Sequence, residues 1–384
     1  MSELRYILNN SEARILLASS RYQSKGEEVL KDGVEKAPIF SVTEKRLEGK
    51  PGQAKPELIE TTESAGGMML FTSGTTSRPK GVLLPESALT AQARSLIEAW
   101  KYSSADHLLH VLPLHHIHGT VNAMIAPLLS GSTIEFMFPF NADAVWERLA
   151  QPFLAPENGM STREKITFFT VVPTIYNRLL STISALPEDV QIAAKKGIHS
   201  DNLRLNISGS AALPTPTKAA WSELSSGNVL LERYGMTEVG MALSCGLDIQ
   251  DRVDGSVGWP LPLVEARLVD TETGQEILAG EEIDANGKER GGEIQLRGPT
   301  IFKEYWKNEK ATASEFVDSK DGKGKWFKTG DIAVRRQVPE AGKSGQAWAK
   351  GPMYFISGRS SVDIIKTGGE KVSALEVERE LLSL

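Results

Sequence analysis

Residues 72 to 81 read Thr72-Ser73-Gly74-Thr75-Thr76-Ser77-Arg78-Pro79-Lys80-Gly81. A short apolar run at 68–72 predicts a strand before this stretch. Leu89, Ala93, Leu96, Ile97 and Trp100 then recur at helical spacing and predict a helix after it. Between them lies a loop of small hydroxyl residues with Gly74 free to take unusual backbone angles. Its backbone N–H groups, the hydroxyls of Thr72, Ser73, Thr75 and Thr76, and the Lys80 ammonium form a donor set suited to a polyphosphate. The P-loop pattern G-x-x-x-x-G-K-[ST] does not fit. Counting from Gly74, its second glycine position holds Pro79, and Gly81 stands where a metal-binding hydroxyl belongs.

The same alternation continues outward. Residues 166–172 predict a buried strand, and Pro173 opens a helix carrying Ile175, Tyr176, Leu179 and Leu180. Residues 203–207 predict another strand, followed by a Ser-Gly-Ser turn and a helix over 215–224. Strand–turn–helix repetition of this kind predicts an α/β fold with mostly parallel sheets. From about residue 257 to 349 the pattern changes to short strand candidates, such as 293–296 and 326–329, between Gly-, Asp- and Lys-rich turns. This predicts a β-rich subdomain, with surface loops at 271–292 and 338–350. Ser373 and Glu376 form a capping-box pattern that starts a further helix.

Composition excludes some classes of partner. The formal net charge of −6 gives no reason to expect nucleic acid or an anionic membrane as the main partner. No apolar run is long enough to span a bilayer. Cys245 is the only cysteine, so no disulfide forms within the chain, which suits a reducing compartment. Residues 1–14 carry Glu3 and Glu12 and show no leader pattern. Oligomeric state is not legible.

Further short motifs follow in order: Pro113-Leu114-His115-His116-Ile117-His118-Gly119, Ser208-Gly209-Ser210-Ala211-Ala212, Arg233-Tyr234-Gly235-Met236-Thr237-Glu238, Thr329-Gly330-Asp331 and Gly358-Arg359. Taken singly, each reads as a polar turn or a surface charge. Three close histidines invite a zinc reading, but Pro113 and Gly119 bracket the run and neither a cysteine nor a carboxylate completes a ligand set.

Together with the 72–81 loop, these motifs resemble the adenylate-forming superfamily of acyl-CoA synthetases, peptide-synthetase adenylation domains and luciferases. Within it, the segments 110–122, 231–244 and 362–378 are most similar to the malonyl-CoA synthetases. The resemblance implies a large N-terminal adenylate-forming domain, with two mostly parallel sheets and a β-rich subdomain, followed by a small C-terminal α/β domain. It implies ATP, Mg²⁺ and coenzyme A as partners in catalysis. Thr72, Ser73, Gly74, Thr75, Thr76 and Lys80 would hold the ATP phosphates. Gly209, Ser210 and Ala211 would wall the nucleotide site, and Glu232, Arg233, Tyr234 and Gly235 would line it. Thr237 would contact the α-phosphate, and Glu238, with Thr76, would serve Mg²⁺. Asp331 would grip the ribose hydroxyls, and Arg359 would contact ribose and phosphate. The acyl pocket would lie at His116 and His118, where His115 replaces the family's aromatic residue.

That pocket is polar, which disfavours long acyl chains and points to malonate or another short acid. Arg252 is the candidate cation for malonate's second carboxylate, its competing reading being a loop charge paired with Asp251 or Asp254. Residues 1–357 are expected to be a partial N-terminal AMP-binding domain, and 358–384 the start of a truncated C-terminal one. Lys366 and Lys371 do not sit in the motif of the family's catalytic lysine. These 384 residues are therefore expected not to complete a thioester by themselves. The alternative is a nucleotide-binding remnant without turnover. The resemblance implies a mitochondrial matrix or cytoplasmic setting.

Overall fold

The computed structural model describes residues 2–31, 33–43, 66–72, 78–155, 163–367 and 370–382. The chain divides into two compact units, Met1–Glu86 with Lys303–Ala311, and Ser87–Phe302 with Thr312–Leu384.

In the first unit, the strands Gly67–Thr72 and Lys80–Pro85 pair antiparallel, with Thr72 opposite Lys80. The short strand Glu304–Tyr305 adds to the other edge of Lys80–Pro85. The 72–81 stretch therefore joins two strands of one hairpin. The helix expected to follow it directly, Glu86–Trp100, begins only after the second strand. The run Gly-Val-Leu-Leu is too short and apolar to show its period, so the cross-strand partner decides its conformation. A second, parallel pair joins Ile15–Ser19 to Ile39–Thr43.

The second unit is built on one long sheet, thirteen-stranded among the described residues. Its parallel half holds Thr133–Phe136, His107–His110, Phe168–Val171, Leu205–Ser208 and Leu231–Met236. Phe168–Val171 and Leu205–Ser208 are buried along their whole length, as strands covered on both faces must be. Helices opened by proline, Pro173–Thr182 and Thr215–Leu224, follow these two strands as expected. Trp146, Tyr176 and Trp221 fill the layer beneath, Tyr176 meeting Trp221 edge-on at 4.8 Å.

The sheet changes character at Leu231–Met236. This strand runs parallel to Leu205–Ser208 on one side and antiparallel to Gly240–Ser244 on the other. Beyond it lie the antiparallel strands Ser256–Pro260, Met353–Arg359, Lys325–Arg336, Gly292–Arg297 and Glu265–Val269, the expected β-rich region. The hairpin at the junction is tight. A Cβ on Gly235 would lie 2.0 Å from the Gly240 carbonyl oxygen, and Gly240 itself holds φ +69°. Ser373 caps the helix Ala374–Leu382 by accepting from the Glu376 N–H at 3.1 Å.

Candidate active site

Strand Leu231–Met236 sits where parallel and antiparallel halves meet, and it carries Glu232, Arg233 and Tyr234 in succession. Successive side chains leave a strand on opposite faces. Arg233 and Tyr234 accordingly serve two different clusters.

Tyr234 Oη donates to Asp331 Oδ2 at 2.6 Å, and Arg359 Nε donates to Asp331 Oδ1 at 2.9 Å. Asp331 and Arg359 are register partners on adjacent strands, so the backbone itself brings them together. Thr329 Oγ1 accepts from the Asp331 N–H at 3.1 Å and fixes the turn that aims the carboxylate. Burial and the Asp331 charge push the Tyr234 phenol well above its usual range, so it remains a donor. The Arg359 guanidinium is raised, chiefly by its hydrogen bond to Asp331, with Tyr234 and Glu238 adding to the negative field. Glu238 is buried, with Thr237 half-buried beside it. A buried carboxylate of this kind suits a hard cation such as Mg²⁺.

Arg233 turns the other way. Its side chain lies over Gly209, where a Cβ would come within 2.4 Å of Nε. Its Nη2 donates to Ser210 Oγ at 3.2 Å, while Nε has no hydrogen-bond partner. Burial lowers the guanidinium to about 9, which leaves it charged at neutral pH. Ser210 and Ala211 are exposed, and Ser210 holds φ +68°, a strained angle for a residue with a side chain. His118 Nδ1 meets Ser210 Oγ at 3.3 Å, and its Nε2 meets Thr170 Oγ1 at 2.7 Å. His118 opens a π-helical segment, His118–Ile125, a winding common near functional sites. His110 holds that segment by donating from Nε2 to the Gly119 carbonyl at 2.8 Å.

Other expected residues make contacts of their own. Arg252 is buried, and its guanidinium donates to the backbone carbonyls of Val229 at 2.5 Å and Leu247 at 2.8 Å. Neither Asp251 nor Asp254 takes it. Asp251 instead accepts from the Gly342 N–H, and Asp254 from the Thr215 hydroxyl. Glu232 is a buried partner of Lys218 Nζ at 2.7 Å, its carboxyl raised by burial against the pull of that lysine. His116 meets the His115 ring in a tilted pair with centroids 4.3 Å apart, and burial with the His115 charge lowers its pKa.

In the first unit, Lys80 places Nζ 4.0 Å over the Tyr305 ring. Thr72 ends the partner strand opposite it. Ser73, Gly74, Thr75 and Thr76 lie outside the described residues. Sequence reasoning missed Tyr305, Thr170, Asn122 and Tyr102. Thr170 and Asn122 left a faint signal: one hydroxyl inside the apolar run Phe168-Phe169-Thr170-Val171, and an amide four residues after His118.

The junction strand with Tyr234, and the Asp331–Arg359 pair that Tyr234 joins, sit in a mixed α/β sheet. The chain belongs to the family of AMP-binding enzymes, whose model matches residues 1–306. It is 61% identical over 402 residues to a CoA ligase of Gibberella moniliformis (strain M3125 / FGSC 7600), covering 100% of this chain and 66% of that one. Against the mitochondrial malonate–CoA ligase of Homo sapiens it is 40% identical over 397 residues, covering 100% of this chain and 63% of the relative. The chain thus spans just under two thirds of the length of both curated relatives. The crystal structure of ATP-bound MatB from Rhodopseudomonas palustris superposes with a TM-score of 0.75 at 29% identity, covering 100% of this chain and 66% of that one. Among the described residues, no helix is long and apolar enough to cross a membrane.

Proposed function

We propose that the protein is an ATP-dependent acid–CoA ligase acting on malonate. One malonate carboxylate attacks the α-phosphorus of ATP, giving malonyl-AMP and pyrophosphate. The coenzyme A thiol then attacks the acyl carbonyl, forming the thioester and releasing AMP. Positioning and charge neutralisation carry the first step. In this reading Tyr234, Asp331 and Arg359 hold the adenosine, Thr237 contacts the α-phosphate, and Lys80 with the loop 72–76 holds the outer phosphates. Gly209 makes room for the Arg233 side chain, and Glu238 would hold Mg²⁺, which would supply charge neutralisation to the phosphates. In this reading the smaller C-terminal domain begins at about residue 358, although residues 312–384 cluster with 87–302 in one compact unit.

The observation that carries the choice of acid is Arg233. It is a buried cation with an unpartnered Nε beside the exposed Ser210 hydroxyl, on the same strand as Tyr234. A second carboxylate could be held by Arg233 and Ser210 while the first stays free to attack phosphorus, whereas a monocarboxylate would have to serve both purposes with one group. The malonate–CoA ligase named among the relatives supports this reading. The role expected of Arg252 passes to Arg233, because two carbonyls already occupy the Arg252 guanidinium.

The test is product analysis by mass spectrometry on the full-length protein supplied with ATP, Mg²⁺, coenzyme A and one acid at a time. Malonyl-CoA should form far faster than acetyl-CoA or butyryl-CoA. Equal rates for malonate and acetate would contradict the assignment.

A further inference from the structure

Behind Ser210 runs a buried chain of side-chain hydrogen bonds that ends in His118, one of the residues expected at the acyl pocket. Tyr102 Oη donates to Asn122 Oδ1 at 3.0 Å and to the Asn122 carbonyl at 2.9 Å. Asn122 Nδ2 donates to Thr170 Oγ1 at 3.2 Å. Thr170 Oγ1 meets His118 Nε2 at 2.7 Å, and His118 Nδ1 meets Ser210 Oγ at 3.3 Å. Tyr102, Asn122, Thr170 and His118 are all buried. His118 and Asn122, four residues apart on the π-helical segment, both reach the same hydroxyl.

Proton counting gives this chain a direction. The Asn122 amide nitrogen carries only protons, so Thr170 Oγ1 accepts from it. A second lone pair on Thr170 could also accept from His118, but that would strand the proton of a buried hydroxyl. The exposed Ser210 can instead turn its own proton outward, so the Thr170 proton goes to His118 Nε2. With Nε2 accepting, the neutral imidazole carries its proton on Nδ1 and donates to Ser210 Oγ. Arg233 Nη2 donates to the same oxygen. Both Ser210 lone pairs are then taken, and its own proton is left for an acceptor outside the chain.

We propose that Thr170 is a positioning residue for acid recognition: by donating to His118 it fixes the imidazole tautomer and leaves the Ser210 proton for the substrate carboxylate. This rests on the reading that Ser210 and Arg233 hold malonate's second carboxylate. Thr170 touches no substrate and acts only through His118 and Ser210.

The experiment combines kinetics with ¹⁵N NMR of the His118 ring in the full-length protein. The wild type should show His118 as the Nδ1–H tautomer. Thr170→Val, nearly isosteric, should raise the malonate KM about tenfold or more, with the ATP KM and kcat held within about twofold. It should also shift His118 towards a tautomer mixture. Thr170→Ser, which keeps the hydroxyl, should restore both readouts. An Nε2–H signal in the wild type would reverse the proton order and overturn the proposal without any variant having to fold. So would an unchanged malonate KM in Thr170→Val. Arg233→Met separates the two levels. If it leaves the malonate KM unchanged, the carboxylate reading fails. If it raises that KM while Thr170→Val does not, only the role of Thr170 fails.

Discussion

Asp331 and Arg359 face each other across adjacent antiparallel strands, and their side chains meet at 2.9 Å. Tyr234 closes on the same carboxylate from the junction strand. Backbone register thus preassembles a charged, hydrogen-bonded group from residues far apart in sequence. Removing the carboxylate should therefore damage more than one contact. Asp331→Ala is expected to lower kcat/KM for ATP about 10- to 100-fold, the range for losing a charge-assisted hydrogen bond. Tyr234→Phe should cost about fivefold. Steady-state kinetics with ATP varied and malonate saturating checks both, and the malonate KM should move little.

Lys80 lies on the Tyr305 face, and the ring holds the ammonium through its quadrupole. Tyr305→Phe keeps that face and should leave ATP kinetics within about twofold. Tyr305→Ala frees the lysine and should raise the ATP KM roughly 3- to 30-fold, matching about 0.5–2 kcal/mol. Lys80→Ala should be worse than either. Equal effects of the two Tyr305 variants would show that the ring does not position the lysine.

Arg252 supplies a contrast. Its two carbonyl partners become unsatisfied when it is removed. Arg252→Ala is expected to lower unfolding stability by about 3 kcal/mol, read from urea midpoints, and to leave the malonate-to-acetate ratio of the folded fraction unchanged. A selective loss of malonate use would return the residue to the substrate site.

His118 makes stability depend on pH with a definite sign. Burial first, and then the charges of Arg233, His110 and His116, hold its pKa well below the usual histidine value. The unfolded chain takes up a proton near pH 6.5 that the folded one refuses. The contribution is complete above that pH and is lost as pH falls from there towards the folded pKa. His118→Asn should therefore show a shallower fall of urea midpoint between about pH 7 and 5 than the wild type. Parallel curves would contradict the assignment.

Much of this was legible in the sequence because it is local. Pro173 and the segment 215–224 signal their helices directly. That the motif at 233–238 begins on the strand where the sheet changes direction was not read from the sequence. The hairpin after the 72–81 loop was not legible, since a four-residue apolar run takes its conformation from the partner strand. The surroundings of Arg252 were hidden for a related reason. Its guanidinium is fixed by carbonyls of Val229 and Leu247, which only the folded chain brings to it. Glu232 belongs to the same class: Lys218, fourteen residues earlier, claims its carboxylate. The ordering of Tyr102, Asn122, Thr170 and His118 depends on a π-helical turn that no periodicity announces.

The central claim is that this protein activates a dicarboxylic acid as its adenylate. ATP–pyrophosphate exchange measures that step alone, before any thiol is needed. With the full-length protein, radiolabelled pyrophosphate should enter ATP when malonate and Mg²⁺ are present, and only weakly with acetate. Exchange should fall about tenfold or more in Arg233→Met. Exchange that is absent with every short acid, or that proceeds equally well without one, would contradict the account.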